Sequence, residues 1–377
     1  MALEAFAIGA SAIWLLVGVY WFWIAGRIPS LPNRHAESTG VMVSVVVTAC
    51  NEAETIGPAL ASLLALPYRP IEVIVVNDRS TDATGTIIDE LISNHDHAKV
   101  IHNDHLPQGW LGKVHALHLG AKASTGSWIL FTDADVVYSK TLLADAVAHA
   151  EAKSLDHFSL LPRMIVNTWA LDITICAFTQ LGCHKVFGLC PIPFGAGAFN
   201  MVRRETLNQS EGLAWLKMEV ADDAGLALLI ANSGGKTEIR TAIDRLEIMW
   251  YPTLQSMFSG LEKNSGVLIS QGQPWRLFVM WMVGSALVSL PFIGTLLEPN
   301  LWPSLLLGMG AYIIATMRLR LRLKTGPWLA LLAPLGFILV GTCGLWSMIQ
   351  IMRRGGIDWR GTFYPWSKLK KGQRVRL

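Results

Sequence analysis

The chain has 377 residues, 52% hydrophobic and 16% charged, with a formal net charge of +3. It is too apolar to be solvated on all sides like an ordinary soluble enzyme. Eight Lys or Arg against one Asp lie from Arg353 onward, while the polar middle has no basic stripe with aromatics, which argues against nucleic acid as a partner.

Residues 5–25 form an apolar run long enough to cross a bilayer, for which about 20 residues suffice. Glu4 stands where a leader peptide carries positive charge, and no small-x-small cleavage site follows. Residues 1–28 are therefore expected to be a retained anchor. Three further apolar runs, at 277–297, 301–317 and 328–352, predict membrane helices over 276–352, the last kinked at Pro334. Residues 29–275 are expected to form a polar domain with its own core, and 353–377 a basic tail touching anionic lipid headgroups. Arg27 and Arg34 after the first run put the polar domain in the cytosol, and Arg318, Arg320, Arg322 and Lys324 agree. A fourth full crossing would put the basic tail outside. Either the last run is re-entrant or interfacial, or the tail breaks the charge rule.

The polar domain alternates strand and helix patterns. Strands are predicted at 43–49, 71–76, 100–101 and 128–132, and helices at 54–66, 82–92, 112–123 and 141–152. Such alternation implies an α/β fold with a mostly parallel sheet, whose ligands bind at the carboxyl ends of the strands. The motifs fall at those ends. Asp133-Ala134-Asp135 follows the fourth strand, and in extended backbone residues i and i+2 point the same way. Two such carboxylates suit Mg²⁺ or Mn²⁺ shared with a substrate's phosphates. The rival reading makes Asp135 a helix N-cap.

Asn51-Glu52 follows the first strand and Asn77-Asp78-Arg79-Ser80-Thr81-Asp82 the second, where acids and amides could bind a base and ribose; a cap from Ser80 or Thr81 is the plainer account of the latter. Gly109-Trp110-Leu111-Gly112-Lys113 is a Gly-rich turn with a lysine at a helix start, able to cradle phosphate, though not a Walker A motif. His95, His97, His102, His105, His115 and His118 read as surface histidines before metal ligands. Cys176, Cys183 and Cys190 recur every seven residues without a C-x-x-C pair and read as reduced core thiols on one helical face, not a zinc site. Gly195-Ala196-Gly197 lets backbone approach a ligand. Asp222-Asp223 opens an apolar helix: one carboxylate caps it, and the other, taken as Asp223, serves as general base on an acceptor hydroxyl.

Taken together, Asn51-Glu52, Asp78-x-Ser80-x-Asp82, Lys113, Asp133-x-Asp135 and Asp222-Asp223 resemble, in order and spacing, glycosyltransferase family 2, enzymes of the GT-A (Rossmann-like) fold. With its apolar runs the chain looks like the membrane-bound lipid glycosyltransferases. Pro107-x-Gly109-Trp110-x-Gly112-Lys113, Gly195 to Asn200 and Trp359-Arg360-Gly361-Thr362-Phe363-Tyr364-Pro365 bring it closest to the hopanoid-associated subgroup. The resemblance implies inverting transfer from a nucleotide-diphosphate sugar, a UDP-sugar, to a membrane lipid acceptor. Asn51, Glu52, Asp78 and Lys113 would hold the nucleotide; Asp133 would contact ribose or metal and Asp135 the metal. Gly195 and Gly197 would form an acceptor loop, with Asp223, beside Asp222, as base. The chain departs from the family at Asp222, often Glu, at Asn77, often Asp, and at Pro274, where processive polymerases carry the Arg of Q-x-x-R-W. The last favours a single transfer over a processive synthase; a non-catalytic membrane scaffold is the other alternative.

Overall fold

The computed structural model describes residues 2–262 and 273–376. Gln271 and Gly272, part of the segment compared with the processive signature, lie outside the described residues. Strands β1 (Val43–Ala49), β2 (Ile71–Asp78), β3 (Ala98–Asn103) and β4 (Trp128–Asp133) pair in parallel in the order β3-β2-β1-β4. The same sheet continues through β8 (Asn200–Arg203), antiparallel to its neighbours, to β6 (His157–Leu161) and β9 (Thr237–Thr241). A smaller sheet joins β5 (Val136–Tyr138), β10 (Leu246–Ile248) and β7 (Arg163–Met164). All seven residues of β1 are buried, as its β-branched run implies.

Alternation along β1 divides two cores. Val43, Val45 and Val47 pack with Leu60 and Leu63 of α2 (Ile56–Leu64), Ile88 of α3 (Thr84–Ile92) and Leu142 of α5 (Leu142–Ala152). Val46 faces Val114 and Leu117 of α4 (Gly112–Ala123) and Leu226 of α8 (Asp222–Asn232). This second core also buries Ile357, Tyr364 and Leu369. They belong to a hairpin of β11 (Gly356–Trp359) and β12 (Thr362–Pro365) and to the helix Trp366–Gly372. The basic tail, expected to touch anionic lipid headgroups, is thus folded onto the α/β domain. Arg374 lies 5.2 Å from the Trp215 ring centroid, and buried Val375 donates its backbone N–H to Glu219. Lys368, Lys370 and Lys371 remain exposed.

Four helices are long and apolar enough to cross a membrane. They are α1 (Ala2–Arg27), α10 (Pro274–Leu297), α11 (Trp302–Arg322) and α12 (Ala333–Arg354), with flanking turns. Gly18 lets α1 approach the Ala311–Tyr312 backbone, where a Cβ would sit 2.6 Å away. The Trp14 indole donates to the Leu287 carbonyl of α10 at 2.7 Å. Helix α6 (Trp169–Phe187) locks the α/β domain onto this bundle: Asp172 pairs with buried Arg320 at 2.7 Å, and Gln180 bonds Thr316 and Tyr312 at 3.0 and 2.9 Å. Cys176 and Cys183 are buried on α6 as expected, whereas Cys190 is exposed beyond the helix end. Pro334 sits in the first turn of α12, where its missing N–H has no intrahelical partner to lose, so it starts the helix instead of kinking it.

Both flanks of α12 end on the α/β domain. Lys324 before it pairs with Asp244 at 2.5 Å; Arg354 at its end pairs with Glu262 at 3.4 Å, and the hairpin follows directly. This geometry favours a re-entrant or interfacial last run over a tail that breaks the charge rule. In a Cys190→Ser background, cysteines placed at Lys371 and Asn94 should label with an impermeant maleimide from the same side of sealed vesicles. Labelling from opposite sides would contradict this topology.

Candidate active site

The turn after β1 is sewn to the turn after β2. Asn51 has φ 55°, a left-handed conformation that asparagine tolerates. Its Oδ1 accepts from Thr81 N at 2.8 Å, and its own N–H donates to Ser80 Oγ at 3.0 Å. Glu52 N donates to Thr84 Oγ1 at 2.8 Å. Ser80 and Thr81 therefore do not cap α3: the N-cap is Ala83, which makes no side-chain cap bond, and Asp82 just before it accepts from Thr84 N at 3.0 Å. Asn51 positions the turn. Buried Asp78 accepts a fork from Arg79 at 3.0 and 2.8 Å and a bond from Asn103 at 2.7 Å. Asn77 is buried too, with its amide nitrogen 3.0 Å from His102 Nδ1.

The centre of the site is Lys113, in the first turn of α4. Its Nζ lies 2.8 Å from Asp133 Oδ1 and 3.3 Å from Asp222 Oδ2. Burial alone would lower the lysine's pKa, but the charges of Asp133, Asp222 and Asp223 outweigh it and raise it. The residue 195–200 loop closes the ring: Gly197 O accepts from Asp133 N at 3.1 Å, and Gly197 N donates to Asp223 Oδ2 at 3.0 Å. Asn200, held by buried His157 at 2.6 Å, donates to the Asp223 carbonyl at 3.1 Å. Gly195 and Gly197 are needed for close approach, because a Cβ would lie 2.3 Å from Asp223 O and 2.5 Å from Asp133 Oδ2 respectively. The expected division between the paired aspartates is altered. Asp222 is the partner of Lys113, while Asp223 accepts the backbone N–H of Ala224 at 2.8 Å. Burial, then the Asp222 charge, pushes the Asp223 pKa up to about 6.

Asp135 reaches the cluster by a different route from the one expected. The backbone is extended only to Asp133; Ala134 and Asp135 form a turn between β4 and β5. Nor does Asp135 cap α5, which begins seven residues later behind Thr141. Burial, then the charges of Asp133 and Glu52, pushes its pKa up to about 7, and its buried Oδ1 has no hydrogen-bond partner among the described residues. An orphaned buried carboxylate oxygen beside a second carboxylate fits a divalent cation. Among the described residues no group of three or more His, Cys, Asp or Glu could hold a metal ion, so a cation here needs ligands from substrate as well.

Sequence reasoning missed the C-terminal contribution. Arg360 Nη2 donates to Glu52 Oε1 at 2.8 Å, Arg79 Nη1 to Thr362 Oγ1 at 3.0 Å, and Gly112 N to Tyr364 OH at 3.1 Å. The signal was present in Trp359 to Pro365, but a separation of 283 residues between Arg79 and Thr362 hid the contact. His115, expected on the surface, is buried against Trp110. The loop makes a sharp test. Gly197→Ala should lower turnover at least about a hundredfold while leaving the melting temperature within a few degrees; unchanged turnover would show that the loop does not set the two aspartates.

Residues 44–209 match the family model Glycosyl transferase family 2. The chain is 32% identical over 131 residues to the poly-β-1,6-N-acetyl-D-glucosamine synthase of Staphylococcus epidermidis, across 34% of this chain and 30% of that protein. It is 28% identical over 251 residues to a Bacillus subtilis strain 168 protein named probable glycosyltransferase YdaM, across 61% of this chain and 58% of that one. It thus spans less than two thirds of these relatives. In fold it is similar to the mannosyltransferase PcManGT from Pyrobaculum calidifontis, solved with GDP-Man and Mn²⁺, with a TM-score of 0.55 at 19% identity over 93% of this chain and 99% of that one. Residues 44–209 therefore match a family 2 glycosyltransferase domain within a GT-A-type fold, and helices long and apolar enough to cross a membrane flank it.

Proposed function

We propose that this protein transfers a single sugar from a nucleotide-diphosphate sugar to a hydroxyl of a membrane lipid, with inversion, on the cytosolic face. The observation that supports it most is the residue 195–200 loop, which hydrogen-bonds Asp133 on one side and Asp223 on the other. Asp223 takes the proton of the acceptor hydroxyl. The freed oxygen attacks the anomeric carbon from the face opposite the diphosphate, and the carbon–oxygen bond to the diphosphate breaks. A base pKa near 6 suits this task, since the carboxylate is ionised at neutral pH yet basic enough to draw a proton. Lys113 lends positive charge beside Asp133, where the diphosphate would lie. Asp133 and Asp135 would hold Mg²⁺ or Mn²⁺, which supplies charge neutralisation on the leaving diphosphate.

A lipid acceptor is supported by the path of α6. His184 near its C-terminus is hydrogen-bonded to Tyr20 of α1 at 2.7 Å. Only residues 188–194, with Leu189 75% exposed, separate that helix from Gly195. The chain that touches α1 thus leads directly into the loop that holds Asp223. Exposed Lys368, Lys370 and Lys371 suit anionic headgroups. A UDP-sugar is our first choice of donor; the ligand of the Pyrobaculum neighbour makes GDP-mannose the one to set against it. A polymer-forming synthase is the second reading, favoured by the name of the Staphylococcus relatives.

The test supplies UDP-sugars and GDP-mannose with a membrane-lipid extract that includes hopanoids. Mass spectrometry should find single-sugar lipid adducts; long glycans would favour the polymer instead. Asp223→Asn should reduce transfer about 10²- to 10⁴-fold with the fold intact, and normal turnover would refute its role. Because Asp223 must be ionised, kcat/KM should fall roughly tenfold per pH unit below about 6 and level off above it. A flat profile from pH 5 to 8 would contradict the assignment.

A further inference from the structure

The C-terminal hairpin meets the catalytic domain at three strand-end turns, and all three belong to the expected donor site. Its Arg360 holds Glu52 after β1, its Thr362 accepts from Arg79 after β2, and its Tyr364 accepts from Gly112 beside Lys113. Trp359 pairs with Thr362, so Arg360 and Gly361 form a two-residue loop, with φ of 49° and 73°. That is the type I′ pattern, which favours Asn, Asp or Gly at its first position. Arginine there is an unfavourable choice for the turn itself. A long cationic side chain kept in a left-handed conformation against the strand-end turn of Glu52 points to a ligand.

The charges indicate which ligand. Around the turns stand Glu52, Asp78, Asp133, Asp135, Asp222 and Asp223. Arg79 is taken up by its fork to Asp78, and Lys113 lies between Asp133 and Asp222. The Arg360 side chain is 28% exposed and, among the described residues, its carboxylate partner is Glu52, whose own charge reaches Asp135. A planar group with five donors suits two phosphate oxygens better than one carboxylate oxygen.

We propose that Arg360 is a donor-binding residue. It rests on Glu52 in the free protein and engages the diphosphate of a bound nucleoside diphosphate, while Thr362 and Tyr364 hold the hairpin in register. The proposal rests on the donor reading above and adds a fourth wall to that site, carried by residues beyond the matched 44–209 domain.

The test is equilibrium binding, not transfer. Full-length protein in detergent is titrated with UDP, GDP and the parent nucleosides in the presence of Mn²⁺. R360Q is expected to weaken the preferred diphosphate at least tenfold and its nucleoside less than twofold. R360K, which keeps the charge without the fork, should fall between, and it serves if R360Q fails to fold. Wild-type protein that binds neither diphosphate overturns the donor reading and this proposal with it. Wild-type binding with an unchanged R360Q, or equal weakening of nucleoside and diphosphate, overturns the hairpin assignment alone.

Discussion

One buried ammonium, that of Lys113, joins the parts of this site that come from distant stretches of sequence. It lies within 2.8 Å of the carboxylate at the end of β4 and 3.3 Å of the one that opens α8. Without it three carboxylates would face one another in a desolvated space, each disfavouring the others' charge. With it, Asp133 and Asp223 are fixed on two sides of one glycine loop. Asp135, left outside the ring, keeps an unpaired oxygen and a raised pKa, as suits a group whose partner arrives with substrate.

Much of this was legible in the sequence, for physical reasons. Strands buried on both faces read as β-branched runs, and β1 and the helix 112–123 match their expected bounds. Motifs after such strands must lie together, because a parallel sheet gathers its carboxyl ends. The details that failed are those that depend on local turns. Asp135 comes round through a turn and not along a strand, Ala83 and not Ser80 or Thr81 is the N-cap of α3, and Asp222 pairs with Lys113 while Asp223 takes a helix N–H. Net charge misled at the C-terminus. Eight basic residues read as a solvated tail, whereas Ile357, Tyr364 and Leu369 between them are core residues. Charge counts weigh exposed and paired cations alike, and no periodicity announces a contact to a strand hundreds of residues earlier.

The membrane-length helices and the catalytic domain are mechanically one unit. Arg320 and Asp172 form a buried pair between α11 and α6, and removing one partner of such a pair leaves an uncompensated charge. The same α6 leads straight into the Gly195–Gly197 loop. The bundle and Asp223 at the start of α8 are thus linked by a short, continuous stretch of chain. The hairpin after α12 reaches the turns after β1 and β2, so residues from both ends of the described chain brace the domain between them.

The claim that Lys113 neutralises three carboxylates is tested most directly by thermal unfolding of Lys113→Met against wild type between pH 5 and 8. Loss of the ammonium removes a charge that holds the Asp223 pKa down, so that pKa rises further above its unfolded value. The folded variant then binds more protons than its unfolded chain, and its stability falls as pH rises. The account requires a melting-temperature deficit that is small at pH 5 and grows to several degrees at pH 8. A deficit that is absent, or the same at every pH, would contradict it.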